Sequence, residues 1–183
     1  MKATNQLKAE HEGIGVMLRV LEAVSRRLES GEAVDTDHLA KMIEFFRVFV
    51  DRCHHGKEEH MLFPALEQVG VPREGGPIGQ MLAEHDAGRG HIRGMAEALD
   101  RYKTDPAAGA VFASHARKYS ELLRDHIQKE NSILFEIADI KLGTDAQGDL
   151  FDAFEKLETE QIGVGKHEEF HKLLDKLAGI YLN

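Results

Sequence analysis

Apolar residues recur along this chain at intervals of three and four, the period of a helix with one buried face. The first such stretch runs from about Thr4 to Ser30 and lines up Leu7, His11, Ile14, Leu18 and Leu21; Gly31 is a suitable stop. The second starts near Asp35 or Thr36, both good N-caps, and carries Ile43, Phe46, Val50, His54, Glu58, Met61 and Ala65, with Pro64 placed to kink its last turn. Gly70 to Gly76 reads as a loop. Pro77 opens a third helix with Ile78, Met81, Leu82, His85, Arg89, Ile92, Ala96 and Leu99 on one side. Asp105-Pro106 opens a fourth, whose face is Phe112, Tyr119, Leu122, His126, Glu130, Ile133 and Ile137. Beyond Gly143, Phe151, Phe154 and Leu157 suggest a further helical piece, interrupted at Gly163 and Gly165. A last helix over about Lys166 to Leu182 aligns His167, His171, Leu174, Ala178 and Tyr181.

No strand-like alternation competes with this pattern, so the expected fold is all-α. It is a single domain over 1–183, with a four-helix core at about 4–140 and a C-terminal helical extension at about 145–183. A chain of 183 residues is long enough to bury a substantial core. The net charge of −9, without a basic stripe, argues against a nucleic-acid partner. No apolar run reaches the roughly 18 residues of a membrane span. One cysteine, Cys53, and an N-terminus without an apolar leader lead to the expectation of a cytoplasmic protein. Cys53 itself reads as a small packed hydrophobe.

The chemistry lies in where the eleven histidines fall. A lone histidine among leucines is ordinarily a core residue with its hydrogen bonds satisfied. Here four helices each place one in the middle of an apolar face, as His11, His54, His85 and His126, and two of them add a glutamate one turn later, as Glu58 and Glu130. Burying four imidazoles and two carboxylates without partners is very costly. A metal pair neutralises the carboxylates and uses the imidazole lone pairs, and bundle cores are a recognised place for such sites. The set exceeds the four donors of one tetrahedral zinc and suits two ions, with each glutamate free to bridge. These donors suit Fe, Mn or Zn. The order is His-x-x-x-Glu, not the Glu-x-x-His of ferritin-like carboxylate proteins.

The stretches His11-Glu12, His54-His55-Gly56-Lys57-Glu58-Glu59 with Leu62-Phe63-Pro64, Glu84-His85-Asp86 with Arg89, and His126-Ile127-Gln128-Lys129-Glu130 with Leu134-Phe135 resemble the hemerythrin-like, or HHE cation-binding, family over residues 7–140. The resemblance implies an up-down-up-down bundle holding two Fe ions joined by an oxo or hydroxo bridge. His11, His54, His85 and His126 would be terminal ligands, and Glu58 and Glu130 bridges. It further implies binding of a small diatomic ligand or peroxide (O2, peroxide or NO) in sensing, storage or detoxification. The alternative is iron handling, or reduction of peroxide or NO with an electron donor. In a sensor, a partner protein would read the state of the C-terminal extension.

Oxygen-carrying hemerythrins resemble this chain but place a fifth histidine one turn after the third-helix ligand. That position here is Arg89, which has no free lone pair to offer a metal. One ion is therefore short of a ligand and open to water, peroxide or NO, or His167, or else His171, fills the gap; the alternative for these two is a histidine pair packed on the bundle exterior. Tyr119, two turns before His126, is expected either to donate a hydrogen bond to a bound oxygen species or to be a satisfied core aromatic. His115 lies roughly 16 Å along the helix from His126, too far to join. His55 and Glu59 point off the core direction and read as solvated or as orienting groups. Glu12, Glu84 and Asp86 diverge from the ligands they neighbour, which weighs against their orienting them.

Overall fold

The computed structural model describes residues 2–163 and 165–183. Among these the chain forms six helices and no strand. Helix α1 is Ala3–Glu29. Helix α2 is a continuous rod over 36–68, made of Thr36–Phe45, a π-helical stretch Phe46–His55, a second π stretch Glu58–Leu62, and Phe63–Gln68. Helix α3 is Pro77–Tyr102. Helix α4 joins Ala108–Lys129, the π stretch Glu130–Leu134 and Phe135–Lys141. Helix α5 is Thr144–Leu157 with a π turn Glu158–Ile162, and α6 is Lys166–Tyr181.

The local signals behave as their chemistry requires. The Asp35 carboxylate accepts the Asp37 N–H at 2.8 Å and caps α2. Asp105 does the same for Ala107 at 3.0 Å, so α4 starts at Ala108, just beyond Pro106. Gly31 ends α1 with a φ of 80°, a conformation open to glycine at little cost. Pro64 does not interrupt α2. It lies where the ladder returns from π to α spacing, and the Phe63 N–H beside it still bonds the Glu58 carbonyl, five residues back. A residue with no N–H costs least at such a junction.

The buried apolar residues divide into two clusters, and this division sets the topology. One holds Ile14 to Leu28 of α1, Leu39 to Val50 of α2, Ile92 to Leu99 of α3 and Phe112 to Leu123 of α4. The other holds Ala3 and Leu7, then Leu62 to Leu66, Ile78 and Met81, and Leu134 to Ala138. The start of α1 thus shares a cluster with the end of α2, the start of α3 and the end of α4. Successive helices alternate in direction, up-down-up-down. Between the clusters lies a layer holding His11, His54, Glu58, His85, His126 and Glu130, all buried.

The last two helices are packed onto this bundle. Leu150 and Phe154 of α5 enter the second cluster, and Phe170, Leu174, Leu177 and Tyr181 of α6 enter the first. The Gln147 side chain accepts the Ala3 N–H at 3.0 Å, tying α5 to the start of α1. No helix among the described residues is long and apolar enough to cross a membrane.

Candidate metal centre

Seven side chains converge in the polar layer, none more than 4% exposed: His11, His54, His55, Glu58, His85, His126 and Glu130. Their ligand atoms form two groups, each lying within 4.8 Å of one another. One group is His11, His54, Glu58 and Glu130; the other is His55, Glu58, His85 and His126. The π stretches fall on these positions: one ends at His55, another starts at Glu58, and a third starts at Glu130. A π turn loops one extra residue into the helix and re-aims the side chains around it, and such turns concentrate at functional sites.

Hydrogen bonding fixes which ring nitrogen faces inward. His54 Nδ1 donates to Glu10 Oε2 at 2.7 Å, His85 Nδ1 to Glu59 Oε1 at 2.7 Å, and His126 Nδ1 to Glu84 Oε2 at 2.9 Å. His11 Nδ1 lies 2.9 Å from the Asn131 side-chain oxygen. An ionised carboxylate can only accept, so Nδ1 carries the proton and Nε2 keeps its lone pair. Those lone pairs then face each other, with His11 and His54 Nε2 at 2.9 Å and His85 and His126 Nε2 at 3.0 Å. Two imidazoles at right angles on one ion, about 2.1 Å from each, would be about 3 Å apart. Facing lone pairs without a cation between them would repel.

The carboxylates complete the pattern. Glu58 Oε1 lies 3.4 Å from His54 Nε2 and its Oε2 3.5 Å from His85 Nε2. Glu130 Oε2 lies 3.2 Å from His11 Nε2 and its Oε1 3.2 Å from His126 Nε2. Each glutamate therefore turns one oxygen to each imidazole pair, as a bridge between two ions requires. All four oxygens are buried and lack a well-directed hydrogen bond among the described residues. Orphaned acceptors of this kind fit a cation pair well. Burial, together with the charge of Glu130, holds the Glu58 carboxyl well above its ordinary range. Burial also lowers His54 to about 4, which keeps its ring neutral and ready to ligate.

The six ligands expected from helical spacing are thus brought together, but His167 is not among them. Helix α6 packs on the outside of α1 and α2, and Glu10, Lys57 and Glu158 stand between His167 and the centre. His167 Nδ1 pairs with Glu158 Oε1 at 2.6 Å, and its Nε2 meets His171 Nε2 at 2.8 Å. Both histidines line a surface cavity of about 400 Å³ walled by Phe45, Phe49 and Phe170. Glu158 also accepts from Lys57 Nζ at 3.0 Å, and Lys57 reaches Glu10 at 2.5 Å. A continuous polar chain thus joins His54 to the cavity. Tyr119 is buried in the apolar cluster beside the centre, its ring 4.9 Å from Phe46 and its hydroxyl without a protein partner among the described residues. Burial raises its pKa, so the hydroxyl stays a donor. Cys53 is a packed thiol, pushed up to about 12 by burial.

Three contributors were misread or missed in the sequence, while Glu59 takes the orienting place expected of it, on His85. Helical geometry turned His55 away from the core, yet the π stretch that ends there buries it. Glu84 lies beside His85 on α3 but accepts from His126 on the neighbouring helix α4. Glu10 stands three residues after Leu7, a spacing that could have placed it near the buried face.

Residues 2–138 match the hemerythrin HHE cation binding domain. The chain belongs to this family. It is 40% identical over 108 residues to the iron-sulfur cluster repair protein YtfE of Edwardsiella ictaluri, covering 53% of this chain and 45% of that one. It is 24% identical over 187 residues to the uncharacterized proteins Rv1995 of Mycobacterium tuberculosis and Mb2018 of Mycobacterium bovis, covering 97% of this chain and 68% of theirs. The chain therefore spans about half the length of the repair protein. No solved structure matches it.

Proposed function

We propose that this hemerythrin-like protein holds two iron ions and binds O2, peroxide or NO there, in sensing, storage or detoxification. The observation that supports this best is the pair of buried glutamates, each with one oxygen toward each facing imidazole pair. Bound iron would supply reversible redox chemistry and a position for a small ligand. The chain's own residues do the rest. Glu10, Glu59, Glu84 and Asn131 hold the imidazoles in one tautomer and orientation. The apolar clusters on either side keep bulk water out. A second reading, iron handling, is favoured by the likeness to a protein named for iron-sulfur cluster repair, and rests on that likeness alone.

The test is metal analysis by mass spectrometry with optical spectra in air, after dithionite and after NO. Two irons per chain, with near-ultraviolet bands that bleach on reduction and change with NO, are expected. A single zinc, or no metal after iron-supplemented expression, would refute the di-iron reading. Release of iron to an apo iron-sulfur acceptor, without lasting NO or O2 binding, would favour iron handling.

A further inference from the structure

We propose that His55 is the fifth imidazole of the centre, occupying on α2 the role that Arg89 leaves vacant on α3. This rests on the two-ion reading above. His55 is 4% exposed, and its Nε2 is buried without a hydrogen-bond partner among the described residues. Its ligand atom falls within 4.8 Å of those of Glu58, His85 and His126. Its ring stacks on that of His85, with centroids 3.8 Å apart and planes 15° from parallel. On its outer edge, Nδ1 faces Asp51 Oδ1 at 3.4 Å. As with the other ligands, an oxygen stands at Nδ1 and Nε2 is left without a hydrogen bond; the His55 ring turns out of its stack on His85 when Nε2 joins the same ion.

Arg89 takes a different part in the same construction. Its Nε donates to Asp51 Oδ1 at 2.8 Å and one of its terminal nitrogens to Glu59 Oε1 at 2.7 Å. Asp51 faces His55, and Glu59 accepts from His85. One guanidinium therefore anchors the two carboxylates that orient two neighbouring imidazoles. Its rigid fork suits this, since it satisfies both carboxylates at once. The substitution that removes a ligand from α3 supplies the support for one on α2.

The donor count then becomes unequal. His55, His85 and His126 with one oxygen from each glutamate make five donors on one side. His11 and His54 with the other two oxygens make four. The ion on the His11 and His54 side keeps the exchangeable position, so a small ligand binds there and not beside Arg89.

Cobalt(II) titration under nitrogen tests this, with visible d–d bands and chelator competition reporting the affinity and coordination of each equivalent. The native protein should take up two equivalents. His55→Ala should bind one as before and lose at least tenfold in affinity for the other, with added imidazole restoring it. His60→Ala, a change at an exposed position, should match the native protein. Unchanged affinity for both equivalents in His55→Ala would overturn the assignment. Uptake of fewer than two equivalents by the native protein would instead overturn the two-ion reading. Nitrogen-15 histidine NMR of the native protein with and without zinc decides the matter should the variant not fold. Five metal-bound Nε2 signals support the proposal, and four, with His55 unmoved, overturn it.

Discussion

Lys57 is fully buried, with its ammonium between Glu10 and Glu158, and its pKa is raised because these carboxylates outweigh the cost of burial. Replacing it by alanine leaves Glu10 charged in the core without its partner. Lys57→Ala should therefore cost about 3–5 kcal/mol, measured by urea unfolding. A loss below about 1 kcal/mol would mean that Glu10 draws its compensation from elsewhere. The Glu158–His167 pair carries a pH signature. The His167 bond, with help from Lys57, lowers Glu158 from 4.5 to about 2. Its contribution is full above pH 4.5 and is lost as pH falls toward 2. The same bond raises His167 above 6.5. That contribution is full below pH 6.5 and is lost as pH rises through the raised value. The stability difference between the native protein and Glu158→Gln should therefore peak between about pH 4.5 and 6.5 and shrink on both sides. A difference that is flat from pH 3 to 8 would refute the pairing.

Three of the π stretches are where this bundle departs from ideal helices, and they lie at the ligands. An uninterrupted α-helix could aim His54 and Glu58 inward but would swing His55 well aside. Opening the helix costs backbone hydrogen-bond geometry, and the buried donor cluster is what offsets that cost. Helix α5 shows how the extension belongs to the fold. Phe154 is fully buried in the cluster beneath the centre and lies near the Lys57 ammonium, 5.9 Å from its ring centroid. Phe154→Ala should lose about 3–5 kcal/mol in equilibrium unfolding, as a core cavity does. An exposed arm would lose almost nothing.

The bundle as a unit places a dense set of ligand groups between two apolar clusters, so its stability and its metal content are linked. Ligand atoms brought this close are poorly satisfied in the absence of a cation. Removing metal by chelation should lower the thermal midpoint, and restoring it should reverse the change. With free metal about a thousandfold above its dissociation constant, the gain is about 4 kcal/mol. Equal midpoints for the stripped and loaded forms would show that the layer is satisfied without metal. The polar chain from His54 through Glu10, Lys57 and Glu158 to His167 makes α6 sensitive to the same event. Amide exchange in Lys166–Tyr181 should accordingly slow on metal loading.

Periodicity alone determined the helices, and four histidines on their apolar faces, two of them followed by a glutamate one turn later, marked the donor cluster that the fold brings together. Both follow from geometry within one helix, where residues four apart share a face whatever the rest of the chain does. The alternating direction of the helices was implied by the resemblance to the hemerythrin-like family, and short connections between long amphipathic helices suit it. The tertiary structure decided what depends on contacts between helices. It seated His167 outside α1 and α2, beyond a buried ion-paired lysine, and it turned Arg89 from a missing ligand into an anchor for Asp51 and Glu59. It also brought His55 inward through a helical opening that no propensity or spacing signals. Such a turn is stabilised by the groups it brings together, and those come from distant parts of the chain.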